Sequence, residues 1–134
     1  MATVAAERAF TSWVKALNQR TEVHHLDEAL AEGCTVERFG YHEQRGQCLE
    51  TFSSPDAIRA WFNRAGEHLT FSLDGDVQDS PGAPDAPALQ FAVRYHRTWH
   101  QFEGGGWWHI NLNEDGRITR LLHMPDDLPD YRAS

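Results

Sequence analysis

Apolar positions recur along this chain with two periods, and the change from one to the other separates its helices from its strands. From Thr3, which suits an N-cap, to Asn18, the residues Ala6, Phe10, Trp13, Val14 and Leu17 fall on one helical face, while Glu7, Thr11, Lys15 and Asn18 lie off it. Thr21 opens a second, shorter helix whose stripe is Val23, Leu26 and Leu30 and which Gly33 ends. Cys34 to Tyr41 and Gln47 to Phe52 then form a strand pair around the polar segment His42 to Gly46. A third helix starts with Ser54 as N-cap, Pro55 at the first helical position and Asp56 in the first turn. Its buried face is Ile58, Trp61, Phe62 and Ala65, and Gly66 stops it.

Beyond Gly66 the period falls to two. Leu69 to Val77 alternates Leu69, Phe71 and Leu73 with Thr70, Ser72 and Asp74, as a half-buried strand does. The stretch Gln78 to Pro87 carries three prolines and is expected to be a loop. A long strand follows from Ala88 to His100, with Leu89, Phe91, Val93, Tyr95, Arg97 and Trp99 facing the core and Gln90, Ala92, Arg94, His96, Thr98 and His100 facing out. Glu103 and the three glycines after it read as a turn. The closing hairpin is the clearest element, with Trp107 to Leu112 and Ile118 to Met124 as strands and Asn113-Glu114-Asp115-Gly116 between them. A four-residue turn there pairs Trp108 with Leu121 and Ile110 with Thr119, which places Thr119, Leu121 and His123 on the same face as Trp108. The preceding turn pairs Trp99 with Trp108 and Arg97 with Ile110, which sets Arg97 and His123 on either side of Trp108. A one-residue slip would turn both outward. After Asp127 the segment 128–134 reads as a frayed tail.

Composition narrows the partners. The 134 residues suit one domain, here 3–127, which buries roughly two thirds of the surface its unfolded chain exposes. Twenty acidic against twelve basic residues give a formal charge of −8, which disfavours nucleic acid and anionic membranes as partners. The opening residues contain charge and no continuous apolar run, so a cytoplasmic location is expected. Cys34 and Cys48 lie at unequal distances from their turn and do not face each other, so both are expected to be reduced, buried thiols. The histidines are scattered. His96 and His100, four apart on a strand, stand roughly 13 Å from one another, too far to share one ion. No metal and no cofactor are expected.

The order of these elements, together with the runs SWVKALN, ALAEGCTVERFG, SPDAIRAWF and LNEDGRITRLL, resembles the nuclear transport factor 2-like superfamily, in its SnoaL-like and ketosteroid isomerase-like branch. The resemblance implies an α+β, cone-shaped fold with three helices packed on a curved antiparallel sheet. It also implies a deep pocket on the concave face and, frequently, a homodimer through the outer face, for which Ile118, Leu122 and Met124 are the candidates. The groups of ketosteroid isomerase do not carry over. Trp13 stands at its oxyanion-donating tyrosine, Arg38 at its general base and Trp108 at its protonated aspartate, so that proton shuttle is absent. Gly33 replaces an acid found in many relatives, and Asp126 matches an aspartate that SnoaL-like proteins carry after the last strand.

The remaining inward polar groups define the candidate site. His123 in an apolar pocket suits a general acid or base; the alternative is a rim histidine bonded to the backbone. Arg38 and Arg97 suit a substrate carboxylate, phenolate or enolate, or else pair with Glu37, Glu50 or other acids. Tyr95 suits donation to a carbonyl, or plain core packing. Trp13, Phe62, Phe91, Val93, Trp108, Ile110 and Leu121 supply apolar walls for a flat hydrophobic small molecule. The expected function is cofactor-independent binding of such a molecule and an isomerase, cyclase, dehydratase or hydrolase reaction by proton transfer. The alternative is a ligand-binding or dimerisation module without catalysis.

Overall fold

The computed structural model describes residues 4–19, 23–40, 42–65, 69–80, 89–99 and 102–126. The first helix, α1 (Val4–Asn18), buries Ala6, Ala9, Phe10, Trp13, Ala16 and Leu17, which recur at three- and four-residue spacing and form one stripe. A short α2 (Val23–Ala29) passes directly into β1 (Leu30–Phe39). The second helix therefore ends before Leu30. Gly33 is no helix stop: it sits inside β1 with φ +75°, where the strand bulges between Leu30 and Thr35. After a single 3-10 turn at His42–Gln44 the chain returns as β2 (Cys48–Phe52). In α3 (Pro55–Ala65) the expected cap is present, with the Ala57 amide donating to Ser54 Oγ at 3.1 Å.

The remaining strands are β3 (Leu69–Leu73), β4 (Gln78–Asp79), β5 (Phe91–Trp99), β6 (Phe102–Leu112) and β7 (Ile118–Pro125). Together with β1 and β2 they build one curved, seven-stranded sheet in the order β2-β1-β7-β6-β5-β3, with β4 on the same edge of β5 as β3. The sheet is mixed, because β1 runs parallel to β7 while the other pairs are antiparallel. Gln78 and Asp79, expected in a loop, pair with Ala92 and Phe91; the prolines that break the pattern come after them. Thr3, Thr21, Gly66, the proline-bearing residues 81–87, His100 and the tail lie outside the described residues.

Both hairpin registers differ from the sequence expectation, and both errors preserve parity. Glu103 to Gly106 form no turn, since all four belong to β6, and Trp99 pairs with Phe102. Trp108 consequently lies opposite Val93, and Arg97 opposite Gly104. In the last hairpin Asn113 Oδ1 accepts from the Asp115 and Arg117 amides, and Gly116 takes φ +78°. This lengthens the turn by one residue, so Leu112 meets Ile118. A bulge between Asn111 and Leu112 adds another step, so Ile110 meets Leu121 and Trp108 meets His123. Each shift is an even number of residues, which keeps Trp108, Tyr95, Arg97 and His123 on one face.

The main core lies between that face and the helices, joining Phe10, Trp13 and Leu17 to Val36, Ile58, Phe71, Val93, Tyr95, Trp108, Ile110 and Leu121. Ile118 belongs to it and is fully buried, so it is not an outer-face residue. A smaller cluster of Phe39, Leu89 and Leu122, with Met124 against it, covers part of the outer face, where Leu122 is already buried within the single chain. Cys34 is buried, and burial raises its thiol pKa; Cys48, on the outermost strand, is exposed rather than buried.

Candidate functional site

His123 lies near the centre of the concave face and is 4% exposed. Strand pairing sets it between Arg38 on β1 and Trp108 on β6, with Val93 beyond Trp108 on β5. Aromatic rings enclose the imidazole. Tyr95 stacks on it with centroids 5.1 Å apart, and Trp61 from α3 meets it edge-on at 5.1 Å. Tyr95 also stacks on Trp108 at 4.5 Å, Trp13 from α1 stands edge-on to Trp108 at 6.1 Å, and Phe71 packs 5.8 Å from both Tyr95 and Trp108.

Two hydrogen bonds thread this cluster. Trp108 Nε1 donates to His123 Nδ1 at 2.9 Å, and His123 Nε2 lies 3.2 Å from Tyr95 Oη. An indole N–H only donates, so Nδ1 carries a lone pair and the proton of the neutral imidazole sits on Nε2. Nε2 therefore donates to the Tyr95 oxygen. The tyrosine proton is left pointing elsewhere, and no other hydrogen bond engages that hydroxyl among the described residues. Burial pushes the His123 pKa down to about 3, with the positive charges of Arg97 and Arg38 acting in the same direction. Burial likewise raises the Tyr95 pKa. At neutral pH both groups are uncharged, and the array runs as donor to acceptor from Trp108 through His123 to Tyr95.

The arginines differ in their company. Arg38 is half-buried and committed to Glu50, with Nε at 3.0 Å and Nη2 at 2.7 Å from one carboxylate oxygen, while Arg64 holds the other at 3.0 Å. Hydrogen bonding from Arg64 and then from Arg38 lowers the Glu50 pKa. Arg97 makes no ion pair among the described residues. Of the expected walls, Trp13, Val93, Trp108, Ile110 and Leu121 are fully buried in the central core, and Phe91 is half-buried at its edge. The Phe62 side chain lies outside the described residues. Sequence reasoning left Trp61 and Phe71 out of the site, although the helical stripe of α3 and the alternation of β3 already turned both inward.

Asp126 is not part of this constellation. It forms an ion pair with Arg94, whose guanidinium also lies 5.8 Å from the centre of the Trp107 ring. His109, which alternation with Trp108 turns to the opposite face, is buried all the same, with Nδ1 2.6 Å from Ser80 Oγ; burial lowers its pKa. No group of three or more metal-binding side chains occurs among the described residues.

No family model matches the sequence, and no curated protein matches it at the sequence level. Solved structures match the fold. A candidate isomerase of the SnoaL-like family from Agrobacterium tumefaciens str. C58 superposes with TM-score 0.64 at 16% identity, covering 96% of this chain and 100% of that one. An NTF2-like protein of unknown function from Mesorhizobium loti gives 0.60 at 13% identity over 93% and 96% of the two chains. An LEH-like epoxide hydrolase from M. tuberculosis gives 0.56 at 15% identity over 92% and 83%.

Proposed function

We propose that this chain, which has the nuclear transport factor 2-like fold, binds an apolar small molecule against the aromatic lining of its concave face and acts on it by proton transfer without a cofactor. The observation that carries the reading is the Trp108–His123–Tyr95 array, which leaves one tyrosine proton unspent in an apolar surround. In this reading Tyr95 donates to a substrate carbonyl, or to the oxyanion it becomes, and low local polarity strengthens that bond. His123 acts as a neutral holder of Tyr95 rather than as a base titrating near neutrality, in keeping with its lowered pKa. Arg97 adds positive charge on the same face. Arg38, bound by Glu50, shapes the rim. Trp61 is half-buried whereas the other rings around His123 are buried, so the ligand enters on the α3 side. The SnoaL-like and epoxide hydrolase structures support small-molecule chemistry on this scaffold by analogy of fold.

A thermal-shift panel of flat apolar carbonyl compounds tests the reading, since a ligand of the folded state raises the midpoint by mass action. A compound that binds and is turned over should lose about a hundredfold in kcat with Tyr95→Phe, while His123→Asn should lower kcat with the KM little changed. Unchanged turnover in Tyr95→Phe would remove the assignment. The close packing of Trp13, Phe71, Tyr95 and Trp108 around His123 favours a second reading, a ligand-binding or dimerisation module without catalysis. Ligands that raise the midpoint and are recovered unchanged would decide for it.

A further inference from the structure

Among the described residues the half-buried arginines divide into two kinds. Arg38 reaches Glu50, Arg59 reaches Asp56, Arg94 reaches Asp126 and Arg120 reaches Glu37, so each of these meets a carboxylate. Arg97 is half-buried too, and it meets none. A guanidinium stripped of part of its water without a counter-charge is unfavourable, and in a chain of formal charge −8 acids are not scarce. Its surroundings also make room for it. Arg97 lies across β6 at Gly104, where a Cβ would stand 3.1 Å from its Nε and 3.7 Å from its Nη2. The absence of a side chain there gives the planar fork its place.

A second feature adjoins it. Trp99 is on the same strand face two residues further on, about 7 Å away along the strand, and 44% of it is exposed. An exposed indole beside an unpaired guanidinium offers a flat apolar surface and a bidentate donor together. Arg97 shares the face of Tyr95 and Trp108, since two-residue steps along β5 and the pairings Val93–Trp108, Tyr95–Gly106 and Arg97–Gly104 keep all of them on one side of the sheet.

We propose that Arg97 and Trp99 are the recognition site for the carboxylate of a flat, apolar acid. The guanidinium takes the two carboxylate oxygens on its fork, the indole covers the ring, and the body of the ligand extends toward Tyr95. The assignment rests on the concave face being a ligand site, and it adds that the ligand is an anion. A fork geometry is required, so lysine is not an equivalent.

Isothermal titration of the folded protein with 2-naphthoic acid and, separately, 2-naphthamide tests it in wild type, Arg97→Gln and Arg97→Lys, with far-UV circular dichroism to verify folding. The acid should bind about tenfold more tightly than the amide or better. That gap should close in Arg97→Gln with amide affinity retained, and Arg97→Lys should restore only part of it. Equal binding of acid and amide to wild type overturns the carboxylate assignment and leaves the ligand site standing. A preference for the acid that survives Arg97→Gln also overturns it. Binding of neither probe at millimolar concentration overturns both the assignment and the site.

Discussion

Gly106 has no side chain in a place where three other groups already stand. A Cβ there would collide with the Met124 carbonyl oxygen and come within 2.7 Å of Pro125 Cα and of Tyr95 Oη. Two of these are backbone and cannot swing aside. Gly104, on the same strand face, would meet only the flexible Arg97 side chain, at 3.1 Å. The two glycines should therefore answer differently to the same change. Gly106→Ala should cost about 1–3 kcal/mol or more by overpacking and displace Tyr95 from His123, whereas Gly104→Ala should cost less than about 1 kcal/mol. Urea unfolding of the pair checks this, and equal losses would show that the strands part more easily than the geometry implies.

Between elements, the end of α1 is joined to a sheet edge by one side chain. Asn18 Nδ2 donates to the Phe71 carbonyl at 2.8 Å, and its Oδ1 accepts from the Phe71 amide at 2.8 Å, so the side-chain amide pairs with β3 as a neighbouring strand would. Asn18→Ala leaves both groups of Phe71 without that partner. The expected cost is about 1–3 kcal/mol, read from the urea midpoint at unchanged m-value; a loss below about 0.5 kcal/mol would mean that water replaces the amide freely. This contact was invisible in the sequence, where Asn18 read only as a polar residue off the helical face. The elements themselves were largely legible, because the stripe of α1, the Ser54-Pro55-Asp56 start of α3 and the alternation of β3 and β5 each report local geometry. Register was not. It depended on the Gly116 turn and the Asn111 bulge, and on three glycines that resemble a turn but serve as strand because Arg97 and Tyr95 lie across them. Tyr95, Arg97, Trp108 and His123 were nevertheless readable as one face, since parity survives an even slip, whereas Ile118, beyond the bulge, was misplaced. The hydrogen-bonded array was not readable, because it requires Trp108 opposite His123 rather than opposite Leu121.

For the molecule as a whole, burying neutral imidazoles ties stability to pH. The His123 pKa falls from an ordinary 6.5 to about 3, so below 6.5 the unfolded chain takes up a proton that the folded chain refuses. The stability this ring contributes is complete above pH 6.5 and is lost as the pH falls toward 3. His109, lowered by burial, acts with the same sign. Each group contributes a slope of at most about 1.4 kcal/mol per pH unit. Carboxylates ordinarily titrate below about pH 5, so a falling unfolding midpoint between pH 6.5 and 5 reports the histidines. His123→Asn should flatten the fall, and His109→Asn should do so independently. A His123→Asn variant that tracks wild type across the window would place the titration elsewhere.

The parallel pairing of β1 with β7 joins residues 30–38 to residues 118–123. Contacts so distant along the chain close slowly, since the whole intervening loop must be ordered before they form. During synthesis β1 emerges well before β7 and has β2 beside it, but its other edge has no partner until β7 is made. Until β7 is made the sheet is thus two separate pieces with open edges, and that strand is what converts them into one wall.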